Sequence, residues 1–453
     1  MNNLDNLISE YKNELIENLR MLIKYKSISV ETEGNMPFGK ENAKCLHEAL
    51  NIANEYGFTT KNLDNYCGYA EIGKGDKIIG IATHLDVVPA GEGWKTDPFC
   101  ATIKDNKIYG RGTSDDKGAV VASMLALKII KEMGIPLNKR VRLIMGCAEE
   151  TGSKCMQYYN EKEEEFEIGF TPDGKFPCVF GEKGHIRARF KYTNPSSIIN
   201  INGGTIDNAV CDKCIVHIYN NTFNQFVLKD YLSENNIKFE IKNDNDICII
   251  KVNGIAAHAS TPSLGKNAIM YLMSGLKKAG CTDEFVNYYC DRFNFENDGN
   301  GFDLKCNDQY GNLTCVNGKV WMENKSIIGS IDIRVPITLN SEDIVNRLKV
   351  IDDRRAIIKV MKYSDTTYFP IASNIVQKLL KVYQNVTGDK ENMPIATGGG
   401  TYAKTLKNCI AFGCKFPNKN NKIHEANEFV EIDELLLQVK LYIYAILELL
   451  NDK

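Results

Sequence analysis

Lys77-Ile-Ile-Gly-Ile-Ala-Thr-His-Leu-Asp86 is an apolar run that ends in a histidine and an aspartate. Near-continuous apolar runs of this length mark strands covered on both faces, as in a parallel sheet. Val141-Arg-Leu-Ile-Met-Gly-Cys147, Ile168-Gly-Phe-Thr171 and Cys409-Ile-Ala-Phe-Gly413 read the same way. Helical stretches lie around them. Leu4 to Lys26 carries apolar residues at helical spacing (Leu4, Leu7, Ile8, Tyr11, Leu15, Leu19, Leu22), which predicts one amphipathic helix. Lys117 to Met133 and a leucine-rich segment from Ile432 are further helices. Such alternation predicts an α/β sheet packed between helices.

The middle of the chain has a different texture. From Lys183 to Thr367 the strands are shorter and more alternating, as in Ile186–Phe190, Ile247–Val252 and Ser326–Arg334, and Asn/Asp-rich loops separate them. This predicts an α+β insertion at 183–367 between the two parts of one α/β domain, 1–182 and 368–453. The insertion is long enough for two small sheet-and-helix units. The charge run Glu161 to Glu167 reads as a solvated loop or helix face.

With 453 residues, 43% hydrophobic, 25% charged and a net charge of −3, the composition is that of a globular protein. It offers no electrostatic case for nucleic acid or an anionic membrane as partner. The longest apolar stretch, Ala119 to Ile130, is broken by Lys128. It falls short of the roughly 18 residues a spanning helix needs. The opening MNNLDNLISEYKNEL has acidic residues where an export signal has basic then apolar ones, so a cytoplasmic protein is expected. The fifteen scattered cysteines then read as small core residues or free thiols. Cys211-Asp-Lys-Cys214 has redox or zinc spacing, but no second pair follows at finger spacing.

Acidic residues and histidines fall at the strand ends. His84 and Asp86 close the first strand, and Asp115 and Asp116 lie in the glycine-rich turn Gly110-Arg-Gly-Thr-Ser-Asp-Asp-Lys-Gly118. Glu149-Glu150 and Asp173 follow the next two strands, and His424 follows the last after a loop. Singly, each has an ordinary reading: a loop histidine, a helix N-cap at Asp115, a Pro-Asp-Gly turn at Asp173. In open α/β sheets, however, ligands bind outside the carboxyl ends of the strands, so these segments are expected to converge. Two histidines with several carboxylates form a mixed N/O set suited to Zn²⁺, Mn²⁺ or Co²⁺.

These segments, with Gly398-Gly-Gly-Thr-Tyr402 and Ile423-His-Glu-Ala-Asn-Glu428, resemble the zinc-dependent aminoacylase, carboxypeptidase G and dipeptidase superfamily. The resemblance is greatest to its bacterial peptidase V or carnosinase-like dipeptidase branch, and the motifs stand in family order. It implies a phosphorylase/hydrolase-like α/β fold of zinc-peptidase type, a mixed sheet sandwiched by helices, with an inserted α+β lid domain long enough for two ferredoxin-like units. The implied function is hydrolysis of small dipeptides with a free C-terminal carboxylate by a hydroxide bridging two Zn²⁺ ions, with Mn²⁺ or Co²⁺ as alternatives. An N-acyl-amino-acid deacylase or carboxypeptidase is the alternative activity, and a non-catalytic peptide-binding relative a third.

By motif position, Asp115 bridges the metals, with His84 and Asp173 on one and Glu150 and His424 on the other. Glu149 is the general base, and Asp86 holds the second imidazole N–H of His84. A cis peptide is implied at Asp115–Asp116. In the lid, His258 of Ala256-Ala-His-Ala-Ser-Thr-Pro262 is the implied oxyanion donor. Arg334 of Asp332-Ile-Arg-Val-Pro336 is the substrate-carboxylate arginine, helped by Gly399 and Gly400, and Asn208 lies near the substrate's amino end. The small peptide is the expected partner, and the long lid implies a monomer. Ala148, Ile206, Ala209, Cys211, Ala403 and Lys404 depart from the family pattern, which bears on substrate preference.

Overall fold

The computed structural model describes residues 2–351 and 354–451. The chain divides into two units, Met1–Phe180 with Phe369–Ile395 and Gly400–Lys453, and Gly181–Tyr368 with Ala396–Gly399.

In the first unit, the hairpin Thr59–Leu63 and Cys67–Ile72 runs antiparallel and joins Arg140–Gly146. Parallel pairing then takes over: Arg140–Gly146 beside Ile78–His84, Ile78–His84 beside Ile168–Thr171, and Ile168–Thr171 beside Cys409–Ala411. All seven residues of Ile78–His84 are buried, which is why its sequence shows no alternation. The register sets His84 against Gly146, so the chain leaves both strands at the same end of the sheet. Helix Lys117–Glu132 is apolar all round and buried on nearly every side, packed against Ile432–Leu450 and the sheet. Lys128 reaches Glu14 at 2.7 Å, and Lys131 and Glu132 in the last turn are exposed.

Two readings of this unit need correction. The expected single N-terminal helix is two, Asn2–Glu10 and Lys12–Ile23, broken at Tyr11, whose ψ of 2° leaves the helical range. The acidic run 161–167 is not simply solvated. Glu163 is 8% exposed and pairs with Arg142 at 3.1 Å and Lys61 at 2.6 Å, an arrangement no local pattern announces.

In the second unit the pairings are antiparallel. The order is Lys238–Asp244, Ile247–Asn253, Lys213–Tyr219, Ile198–Gly203, Val320–Glu323, Ser326–Val335, Gly184–Thr193 and Ala356–Ser364, with Thr314–Val316 also on Ser326–Val335. Burial alternates along Gly184–Thr193, as expected of a half-covered sheet. Its inward residues meet an aromatic core that includes Phe190, Tyr192, Phe285, Tyr288, Tyr289 and Phe293. Asn224, Asn267, Asp283 and Asn340 cap four helices by accepting their first free N–H groups. All fifteen cysteines are free thiols, Cys211 and Cys214 included, and most are buried. Among the described residues no helix is long and apolar enough to cross a membrane.

Candidate metal centre

The four parallel strands of the first unit deliver their following loops to one edge of its sheet. His84 is fully buried. Its Nδ1 lies 2.9 Å from the main-chain carbonyl of Asp86, which can only accept, so Nδ1 carries the proton. Nε2, the other ring nitrogen, lies 3.0 Å from Asp115 Oδ1 and 3.8 Å from Asp173 Oδ2. On the other side of Asp115, Oδ2 is 3.0 Å from His424 Nε2, which is also 2.9 Å from Glu150 Oε1. One carboxylate thus presents each oxygen to a different imidazole.

The Asp86 carboxylate lies 3.5 Å from His84 Nδ1, a little farther than the carbonyl of the same residue. It also has a second job: Oδ1 accepts the N–H of Glu149 at 2.9 Å and Oδ2 that of Glu150 at 3.0 Å. It therefore fixes the backbone of the glutamate pair. The Asp115–Asp116 peptide is cis, and Asp116 Oδ2 accepts the His84 N–H at 3.1 Å.

Donor atoms of His84, Glu149 and Asp173 lie within 4.8 Å of one another, and so do those of His84, Asp115 and Glu150. Asp115 is held well below the usual carboxylate range. Burial opposes this, but contacts with His424 and His84 outweigh it. Glu149 moves the other way, pushed well up by burial and then by the Asp173 charge. Burial also depresses His84, yet its contacts with Asp115 and Asp86 raise it overall. Two imidazoles facing four carboxylates leave the site acidic, and Asp116 Oδ1 is buried with no hydrogen-bond partner. The mixed N/O donor set and excess negative charge fit divalent cations.

The second unit gathers its own cluster. Ala209 pairs with His258, Val210 N donates to Ala257 O at 2.8 Å, and Ala259 N donates to Asn208 O at 3.0 Å. Asn208 and exposed His258, 50 positions apart, are thereby placed on adjoining loop segments. His258 Nδ1 is 2.7 Å from Ser260 Oγ. A Cβ on Gly398 would meet Ser260 Cβ at 2.1 Å, so only glycine fits there. Gly398 O accepts from Arg334 Nη1 at 2.9 Å, beside Gly399. Gly400, the next residue, is the first of the segment Gly400–Lys453 that belongs to the first unit.

Residues without an assigned role in the sequence reading support both clusters. Asp332, fully buried, takes Arg334 Nε on one oxygen at 2.9 Å and His185 Nε2 on the other at 2.6 Å. Burial lowers His185 to about 4 despite Asp332, so the ring is neutral at pH 7. Asp332 was legible in principle, because residues two apart on a strand share a face. Glu428 and Arg111 pair at 2.5 Å across 317 positions, with no local signal.

A parallel-stranded α/β sheet ending in this histidine–carboxylate cluster defines a metal-centred enzyme of the hydrolase type. Residues 80–448 match Peptidase family M20/M25/M40, and the chain belongs to that family; it is a metallopeptidase. It is 35% identical to "Putative dipeptidase YtjP" of Bacillus subtilis over 97% of both chains. It is 31% identical to "Putative dipeptidase SSP1012" of Staphylococcus saprophyticus over 98% of both. Among solved structures, human carnosine dipeptidase 1 superposes with a TM-score of 0.62 at 16% identity, covering 100% of this chain and 99% of that one. The Saccharomyces cerevisiae dipeptidase Dug1p does so at 0.61 and 13%, covering 99% and 98%. These two likenesses establish the shared fold.

Proposed function

We propose that this protein is a dipeptidase that hydrolyses small dipeptides with a free C-terminal carboxylate, using two Zn²⁺ ions, with Mn²⁺ or Co²⁺ as alternatives. The observation that carries the reading is Asp115 facing His84 with one oxygen and His424 with the other. His84 and Asp173 would complete one site, Glu150 and His424 the other. When bound, the cations lower the pKa of water and polarise the scissile carbonyl. Glu149 takes the proton of the attacking water and passes it to the leaving amine. Asp86 holds Glu149 and Glu150 in place through their N–H groups. His258 donates to the oxyanion of the tetrahedral intermediate. Arg334, with the N–H groups of Gly399 and Gly400, receives the substrate carboxylate, and Asn208 its amino end. The reading extends to a cytoplasmic monomer.

Comparing a free dipeptide with its N-acetylated analogue tests the activity. Faster hydrolysis of the free dipeptide is expected, whereas preference for the blocked compound would assign a deacylase instead.

Two variants probe the substrate side. Arg334→Ala removes charged hydrogen bonds worth about 1.5–3 kcal/mol, so KM for free-carboxylate substrates should rise roughly tenfold to a hundredfold. An unchanged KM would remove the arginine from carboxylate binding. His258→Ala should lower kcat by about 10²–10³ with a smaller effect on KM, the pattern of a lost oxyanion donor. Full activity would leave that histidine without a catalytic role.

A further inference from the structure

We propose that Glu428 is a positioning residue for the cation pair: its carboxylate gathers the loop that carries Asp115 and sets that side chain between the two imidazoles. This rests on the reading of Asp115 as the shared ligand. Glu428 is fully buried. Its Oε1 accepts three main-chain N–H groups, from Gly112 at 3.1 Å, Ser114 at 2.9 Å and Asp115 at 3.2 Å. Its Oε2 accepts from Arg111 Nη1 at 2.5 Å, and its own main-chain carbonyl accepts from Gly110 N at 3.0 Å. Main-chain N–H groups of one tight turn converging on one oxygen make an anion-binding concavity, while Thr113 N, between them, donates to Gly110 O at 3.2 Å. Here the anion is supplied by the chain itself, and Gly112 at φ +89° makes the curl possible.

The same short segment places the ligand on the far side of Asp115. His424, four residues before Glu428, reaches Asp115 Oδ2 and Glu150 Oε1. Both His424 (φ 65°) and Asn427 (φ 63°) hold the left-handed conformation that side chains disfavour. Asn427 is tied down from both ends, accepting from Lys95 N at 2.8 Å and donating to Gly93 O at 3.1 Å. Residues 424–428 therefore fix a ligand and the backbone of its neighbouring ligand together. Because Arg111 balances the Glu428 charge, the anchor adds no net negative charge that would itself draw a cation.

The test is cation affinity of the folded full-length protein. Metal-stripped wild type, Glu428→Gln and Glu428→Ala are titrated with Zn²⁺ against a chromophoric chelator, with folding followed by circular dichroism. Glu428→Gln keeps an oxygen for the three N–H groups but turns an amide toward Arg111. It should bind both cations about 10–100-fold more weakly, the range for groups that orient metal ligands. Its kcat should recover at saturating Zn²⁺, because the reacting groups are intact. Glu428→Ala should be weaker still. Folded variants that bind Zn²⁺ like wild type would overturn the proposal, and so would loss of one cation only. Failure of both variants to fold would also overturn it, by making Glu428 a stability residue. A wild type that binds fewer than two Zn²⁺ would instead sink the shared-ligand reading beneath it.

Discussion

Glu149→Ala should lower kcat by about 10²–10⁴, the range for loss of a positioned general base, while bound cation stays near the wild-type level. The argument begins with Asp86. By accepting the N–H groups of Glu149 and Glu150, it fixes two adjacent glutamates whose side chains serve different groups. Glu150 reaches His424, whereas Glu149 lies with His84 and Asp173. Burial and the Asp173 charge make a proton on Glu149 easy to hold, which is the property a group that accepts and returns a proton requires. The same location would suit a ligand, so the distinction rests on measuring turnover and metal content in one sample. Activity lost with metal retained is the expected outcome. Metal lost together with activity would exchange the roles of Glu149 and Glu150.

The second large effect is expected at Asp115. Its two oxygens stand 3.0 Å from imidazole nitrogens of His84, at a strand end, and His424, in a distant loop. Asp115→Ala should therefore release both cations and abolish dipeptide hydrolysis. The affinity loss should exceed the roughly 10–100-fold typical of groups that merely orient ligands. Asp173→Ala, which removes a group on the His84 side of Asp115, should release one cation and leave the other. Equilibrium dialysis against Zn²⁺ measures both. Retention of one tightly held cation by Asp115→Ala would confine that carboxylate to a single site.

Residues such as His84, Glu149, Glu150 and Asp173 could be found in the sequence because they directly follow short apolar runs. Buried parallel strands write themselves as such runs, and α/β sheets use the loops that follow them. His424 was less direct, lying beyond Cys409–Ala411 by a loop of a dozen residues. What sequence alone did not convey depends on tertiary hydrogen bonds. The spacing of His84 and Asp86 suggested a carboxylate–imidazole contact, which lies at 3.5 Å, but not the nearer Asp86 carbonyl or the hold of the carboxylate on the glutamate pair. Glu428 sits inside a stretch already read for its histidine, yet its partners are backbone N–H groups more than 300 positions away. The grouping of Ala396–Gly399 with the second unit is likewise invisible in composition; Lys183 N bonds Thr397 O there and Arg334 bonds Gly398 O. The broken N-terminal helix shows a limit of periodicity, since apolar spacing continues through Tyr11 although the backbone does not.

Zinc-edge anomalous diffraction from crystals of the metal-loaded protein tests the central claim most directly. Two anomalous peaks are predicted, one on the His84 side of the Asp115 carboxylate and one on the His424 side. A single peak, or peaks that leave either oxygen of Asp115 without a cation, would contradict a shared carboxylate as the heart of this enzyme.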